Sequence, residues 1–285
     1  MSLIVNTNIA SLATQRALGI NIKETNASFE KLSTGYRINH AADDNANLSI
    51  SEKMRSQIRG NQLALKNAQD GVNMLDTADG GLKCIGENLQ KIRELTVQAA
   101  NDTYGSVERK SISREVTQRL QDINTIASAL KFNNINLLNG SGNNVKLQIG
   151  GNQATGSNVM TIANAFLTAT ATALGFNPAS ITAAAGGFYN SGGFARNLLS
   201  TIDSAINVVT TRRSMVGSYE NKLKSAIQTL SIQELNLTSS ESQIRDLNIA
   251  TESSELTKKQ VLQQATISML TQANQTPSMA LNLIR

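Results

Sequence analysis

Residues 198–247 read LLSTIDSAINVVTTRRSMVGSYENKLKSAIQTLSIQELNLTSSESQIRDL. Within this stretch Leu198, Ile202, Ala205, Val209, Val216, Tyr219, Leu223, Ala226, Leu230, Leu237, Ile244 and Leu247 fall alternately four and three residues apart. Only Arg212, Gln233 and Ser240 interrupt the register. This is a heptad stripe, and it predicts a rod-like helix of roughly 75 Å at about 1.5 Å per residue. Such a helix cannot bury its stripe against itself. It needs partner helices from elsewhere in the chain or from neighbouring molecules.

The same spacing returns at the start of the chain in Leu18, Ile22, Thr25, Phe29 and Leu32. Gly and polar residues over Thr34–His40 break it, and Asp43 and Asp44 are natural caps for the next helix. That helix carries Met54, Ile58, Leu65, Ala68, Val72, Leu75, Leu82 and Leu89 on one stripe and runs to about Ala100. Gly71, Gly80, Gly81 and Gly86 weaken it by about 1 kcal/mol each relative to Ala, which points to closely packed neighbours. After a turn at Asn101–Gly105, a third helix presents Ile112, Val116, Leu120, Ile123, Ala127 and Leu130. It ends in an Asn-rich segment, Phe132–Asn136, and Gly140.

Between about residues 140 and 195 the period changes. Val145, Leu147 and Ile149 alternate, as do Val159 and Thr161, with Gly150, Gly151 and Gly156 between them, so a β-hairpin is expected. The Ala-, Thr-, Gly- and Ser-rich stretch from Ala163 to Gly193 reads as a variable, surface-exposed excursion. At the far end Leu262, Ala265, Thr266, Met269, Leu270 and Ala273 share a helical face, and Thr276-Pro277 reads as a cap opening a last turn. The fold class expected is mainly α: an elongated, multi-layer, coiled-coil-like bundle of long helices from both termini, with a small β-hairpin region and a short variable tip. The N- and C-terminal segments should pair side by side.

Composition narrows the function. The 285 residues are 40% hydrophobic and 16% charged, enough for a substantial core, while aromatics are 4%, Trp is absent and there are two prolines. That balance favours long helices over a compact enzyme core. The net charge of +5 comes from scattered Lys and Arg, so no nucleic-acid partner is expected. No segment reaches the roughly 20 apolar residues that span a bilayer, so no membrane partner is expected either. The start, Met1–Asn8, lacks the basic and apolar regions of a cleaved signal peptide.

One Cys84 and one His40 leave no material for a disulfide or a Cys/His zinc site. Cys84 is expected to be a small, partly buried filler, and His40 a solvent-facing loop residue beside Asp43 and Asp44. There is no H-E-x-x-H, no phosphate loop ending in Lys-Ser/Thr and no G-x-S-x-G elbow. No catalytic residue, cofactor or metal is expected.

The terminal motifs are more specific than the periodicity. Leu32-Ser33-Thr34-Gly35-Tyr36-Arg37-Ile38-Asn39, Ala42-Asp43-Asp44 and Ile50-Ser51-Glu52-Lys53-Met54-Arg55-Ser56-Gln57-Ile58-Arg59-Gly60 closely resemble the N-terminal region of bacterial flagellins. So do Asn67-Ala68-Gln69-Asp70-Gly71 and Ile92-Arg93-Glu94-Leu95-Thr96-Val97-Gln98-Ala99-Ala100-Asn101. Glu241-Ser242-Gln243-Ile244-Arg245-Asp246 and Met269-Leu270-Thr271-Gln272-Ala273-Asn274-Gln275 resemble the C-terminal region. The likeness covers roughly residues 1–150 and 195–285.

The resemblance implies an extracellular, secreted filament subunit, exported unfolded by the flagellar type III system and polymerising with itself beneath a cap. It implies inner-tube arms at 1–44 and 239–285, disordered in the free monomer. Around them would lie a helical layer with hairpin and variable segment at 45–195, joined by the long helix 196–238. An export chaperone at the C-terminal arm and cap and hook-junction proteins are the further partners implied. Arg55, Arg59, Asp70, Arg93, Glu94, Arg119 and Arg245 are candidates for setting register between subunits. The family also implies recognition by the Toll-like flagellin receptor of animal hosts, at Lys91, Arg93, Glu94, Leu95 and Glu115. Lys91 departs from the Arg common in this family and lacks its bidentate fork, so weaker recognition is expected. The nearest alternative is a hook–filament junction protein, which shares the terminal arms. A filament-displayed enzyme and a generic coiled-coil module are more distant ones.

Overall fold

The computed structural model describes residues 7–140, 144–151, 158–163, 166, 168–176 and 192–284, without the side chains of 192 and 277–284. It is mainly helical. Helix α1 spans Ile9–Thr34, α2 Asn45–Ala99, α3 Ser106–Ala129, α4 Gly192–Arg245 and α5 Ile249–Ile284. The chain divides into two compact units, Gln57–Leu235 and the combined ends Met1–Ser56 with Asn236–Arg285.

The central unit holds the hydrophobic core. The heptad stripe of α4 supplies Leu198, Ile202, Ala205, Val209, Val216 and Leu223 to it. These meet Ala68, Val72, Leu75, Leu82, Leu89 and Ile92 of α2 and Ile112, Val116, Leu120, Ile123 and Ala127 of α3. The predicted stripes are therefore the packed faces. Met54, Ile58 and Leu65, the other members of the α2 stripe, are only half-buried. Arg212, which interrupts the α4 stripe, is nevertheless buried. Its Nη1 donates to the Thr168 carbonyl at 2.8 Å, so the apolar stem fills the stripe while the head satisfies a loop carbonyl.

Of the four α2 glycines singled out above, two are held by packing. A Cβ on Gly71 would lie 2.4 Å from Leu147 Cδ1 and 3.1 Å from Leu223 Cδ1, and one on Gly81 2.5 Å from Leu130 Cδ2. Gly80 has nothing within 4 Å, and Gly86 only Val209 at 3.9 Å. Gly80→Ala is expected to raise stability by about 1 kcal/mol through helix propensity alone, whereas Gly71→Ala lowers it. Urea denaturation of the two variants checks the opposite signs.

Strands β1 (Lys131–Phe132) and β2 (Ile135–Asn136) form an antiparallel pair. Their two-residue loop, Asn133-Asn134, has φ of 45° and 66°. Asn tolerates that left-handed backbone, which is what a tight hairpin turn requires. Reading Phe132–Asn136 only as a helix terminator missed this hairpin, although the Asn pair is its signal. The expected second hairpin is present: β3 (Val145–Gln148) pairs antiparallel with β4 (Val159–Ile162), Val145 opposite Ile162.

Three further readings are corrected. The stretch after Ala163 is not a wholly exposed excursion: Phe166, Ala169, Ala171, Leu174 and Phe176 are core residues. Their segment is stitched down by Ala169 N–H donating to the Leu138 carbonyl and Ala171 N–H to Asn124 Oδ1, both at 2.8 Å. Residues 177–191, most of the remaining excursion, lie outside the described residues. Cys84 is exposed rather than a buried filler. Thr276-Pro277 opens no new helix, because α5 continues through it to Ile284.

Candidate functional site

In the terminal unit α1 and α5 lie side by side and antiparallel. Asn8 caps α1, its Oδ1 accepting the Ser11 N–H at 3.0 Å, and Gly35 ends it with φ 73°. The less exposed positions of α1 are Ser11, Thr14, Leu18, Asn21, Thr25, Ser28, Lys31 and Leu32. Those of α5 are Glu252, Leu256, Lys259, Gln263, Thr266, Leu270 and Ala273, again four and three apart. This seam is mostly polar. Asn8 Nδ2 donates to the Ala273 carbonyl at 2.7 Å, Asn21 Nδ2 to Thr266 Oγ1 at 2.9 Å, and Lys259 Nζ to Ser28 Oγ at 2.9 Å.

Leu18, Leu256 and Leu270 lie in the seam, but most of the larger apolar side chains of these helices are outside it. Ile9, Leu12, Ile20, Ile22 and Phe29 of α1 are exposed, as are Ile249, Val261, Leu262, Ile267 and Met269 of α5. The sequence reading placed Ile22, Phe29, Leu262 and Met269 on pairing faces. The structure leaves these four exposed, whereas Leu18, Thr25, Thr266, Leu270 and Ala273 of the same stripes lie in the seam among hydroxyls and amides. Met269 is 63% exposed and Phe29 49%. So many large apolar side chains left exposed on two paired helices mark an interaction surface. Covering these side chains is worth on the order of 10–20 kcal/mol gross, before the costs of association.

The breaks α1–α2 and α4–α5 clasp one another. Arg37 N–H donates to the Arg245 carbonyl at 2.7 Å and Leu247 N–H to the Gly35 carbonyl at 2.9 Å. Arg37 Nη2 reaches the Ile244 carbonyl at 2.6 Å. Arg245 lies over the Tyr36 ring, 4.8 Å from its centroid, and its Nη1 donates to Glu52 Oε1 at 2.6 Å. Asp44 Oδ1 caps α2 by accepting the Asn47 N–H, and Asp43 Oδ2 accepts the N–H groups of Asn39 and His40. His40 itself is exposed and contacts Glu30 at 2.7 Å.

These bonds hold the carboxylates ionised. Glu52 is shifted below its usual 4.5, first by the Arg245 hydrogen bond. Asp43 and Asp44 are held below 3.8, first by the backbone N–H of His40 and of Asn47 respectively. A depressed folded-state pKa gives stability that is present above the unfolded value and lost as pH falls through the folded one. The clasp therefore weakens below about pH 4.5. Melting temperatures of wild type and Glu52→Gln are expected to differ at pH 6 and converge toward pH 2; a constant gap would contradict this.

The candidate register residues divide by partner. Arg93 pairs with Asp203, Lys91 with Glu94, Arg119 with Glu115, and Arg55 and Arg245 with Glu52. Arg59 and Asp70 are exposed and carry no ion pair among the described residues. Lys91, Arg93, Glu94 and Glu115 are exposed, but Leu95 is 8% exposed and belongs to the core. Sequence reasoning missed the pairing at the end of α2. Arg196 donates to the Ala100 carbonyl and to Asp102, and buried Arg109 to the Asn101 carbonyl and to Asp102. Among the described residues no cluster of His, Cys, Asp and Glu is placed to hold a metal ion, and no helix is long and apolar enough to cross a membrane.

A helical chain that hydrogen-bonds its own ends together and leaves their apolar faces bare is a structural subunit built to be covered by other chains. Its sequence agrees. Residues 5–143 match the bacterial flagellin N-terminal helical region and residues 199–284 the bacterial flagellin C-terminal helical region. Flagellin of Halalkalibacterium halodurans is 37% identical over 284 residues, covering 99% of this chain and 100% of that one. Flagellin FlaB1 of Treponema pallidum is 38% identical over 294 residues, covering 99% and 100%. A putative flagellar hook-associated protein from Vibrio parahaemolyticus shares the fold, with TM-score 0.59, 14% identity and coverage of 72% of this chain and all of that one. The chain belongs to the bacterial flagellin family.

Proposed function

We propose that this chain works as a polymer whose growth is driven by the outward faces of α1 and α5. It is a structural subunit of the bacterial flagellar filament, an extracellular assembly. The observation that carries the mechanism is a pair of helices joined by a mostly polar seam, with most of its larger apolar side chains left exposed. Hydrogen bonds of about 0.5–1.5 kcal/mol each are weak against the entropy of ordering helices of 26 and 36 residues. The inner arms, 1–44 and 239–285, therefore pair only marginally in the free chain and are fixed in place when neighbours cover them. A contact that joins unlike patches extends without closing.

Within this reading the chain leaves the cell unfolded through the type III route, its C-terminal arm masked by a chaperone, and is placed beneath a cap. Arg59 and Asp70, which carry no ion pair among the described residues, are the best placed of the register candidates. Lys91, Arg93, Glu94 and Glu115 form the charged face offered to a Toll-like receptor. The test is elongation of filament fragments, followed by electron microscopy. Full-length chain is expected to extend the seeds, and a truncation lacking both arms is not. Normal fibres from the truncation would overturn the reading, and a short, non-extending cap of full-length chain would favour the junction-protein alternative.

A further inference from the structure

A proline inside a helix has no N–H, so the carbonyl four residues earlier loses its helical donor. In α5 that proline is Pro277 and that carbonyl belongs to Ala273. The carbonyl is not left bare. It accepts Thr276 Oγ1 at 2.8 Å and, from the other helix, Asn8 Nδ2 at 2.7 Å. Both lone pairs are thereby used. Asn8 simultaneously caps α1 through Oδ1 to the Ser11 N–H at 3.0 Å. The neighbouring bond, Ser11 Oγ to Asn274 Oδ1 at 2.7 Å, falls at the same level.

We propose that Asn8 and Pro277 form a register lock: the proline exposes one carbonyl on an otherwise closed helix, and the Asn8 amide reads it, fixing how far α1 slides along α5. The seam needs such a device. Its hydroxyl and amide groups recur along the helices and can exchange partners after a shift of a turn, whereas α5 has one proline and so one carbonyl freed inside the helix by a missing N–H. The residue must be Asn. Asp would keep the cap but has no donor, and Ser would keep the cap but carries a shorter side chain. This inference rests on the filament reading for its consequence, because a slipped register misaligns the outward apolar faces.

The experiment compares full-length wild type, Asn8→Asp, Pro277→Ala and the double variant. Critical concentration for seed elongation gives the consequence, and cross-linking by a short thiol reagent between Ser11→Cys and Asn274→Cys, with Cys84→Ser, gives the register. Asn8→Asp retains an N-cap as good as Asn, so circular dichroism is expected to be unchanged. It is nevertheless expected to raise the critical concentration about threefold to tenfold, the size of one lost hydrogen bond, and to lower the cross-link yield. Pro277→Ala should do the same despite its better helix propensity, and the second substitution should add little to the first. Asn8→Asp matching wild type in cross-linking, or an Asn8→Asp effect undiminished beside Pro277→Ala, overturns the lock. Should wild type fail to extend seeds, the filament reading fails, while cross-linking of the free chain still decides the lock.

Discussion

Phe29→Asp stops seed elongation at concentrations where wild type grows freely. The side chain is 49% exposed on the outward face of α1. Covering it contributes about 1–2 kcal/mol, and burying an unpaired carboxylate in its place costs several more. A combined change of about 3–4 kcal/mol raises the critical concentration on the order of a hundredfold to a thousandfold. Asp and Phe have similar helix propensities, and Phe29 has no polar side-chain atom to take part in the hydrogen bonds that join α1 to α5. Light scattering of seeded growth measures the effect, and unchanged elongation would show that this face stays wet in the polymer.

Leu95→Ala, by contrast, acts on the fold. Leu95 is packed in the core with Ile92, Ala99 and Val116 as fellow members. Truncating a buried Leu removes its transfer energy and leaves a cavity, together about 2–4 kcal/mol. The midpoint of thermal unfolding is expected to fall by about 5–10 °C for a unit of this size. Any loss of receptor stimulation should then follow the melting curve. Arg93→Glu, on the exposed face, is the variant expected to weaken stimulation with the melt nearly unchanged; a Leu95→Ala chain with wild-type melting would contradict the core assignment.

Much of the fold was legible because periodicity reports burial in a long helix. The stripes of α3 and α4 and the inward half of α2 are the core, and the alternation at 145–149 is a strand. Other parts were illegible for a physical reason in each case. Composition alone hides that Phe166, Leu174 and Phe176 turn into the core, since small residues separate them. Arg212 resembles a break in the stripe because its buried stem and hydrogen-bonded head are one residue. Above all, a four-three apolar spacing shows that a face will be covered without saying by what. For α4 the cover is the chain itself. At the ends, Ile22, Phe29, Leu262 and Met269 carry the same signal, yet they stay exposed, and the hydrogen bonds of the intrachain seam are made by Ser, Thr, Asn and Lys beside them.

That distinction is open to direct measurement at Met269, 63% exposed on α5. Peroxide oxidation, followed by mass spectrometry, compares the free chain with the seeded polymer. The account predicts rapid sulfoxide formation at Met269 in the free chain and strong protection once it is incorporated. Equal reactivity in both states would mean that the outward face of α5 remains bare in the polymer, and that something other than these apolar surfaces drives its growth.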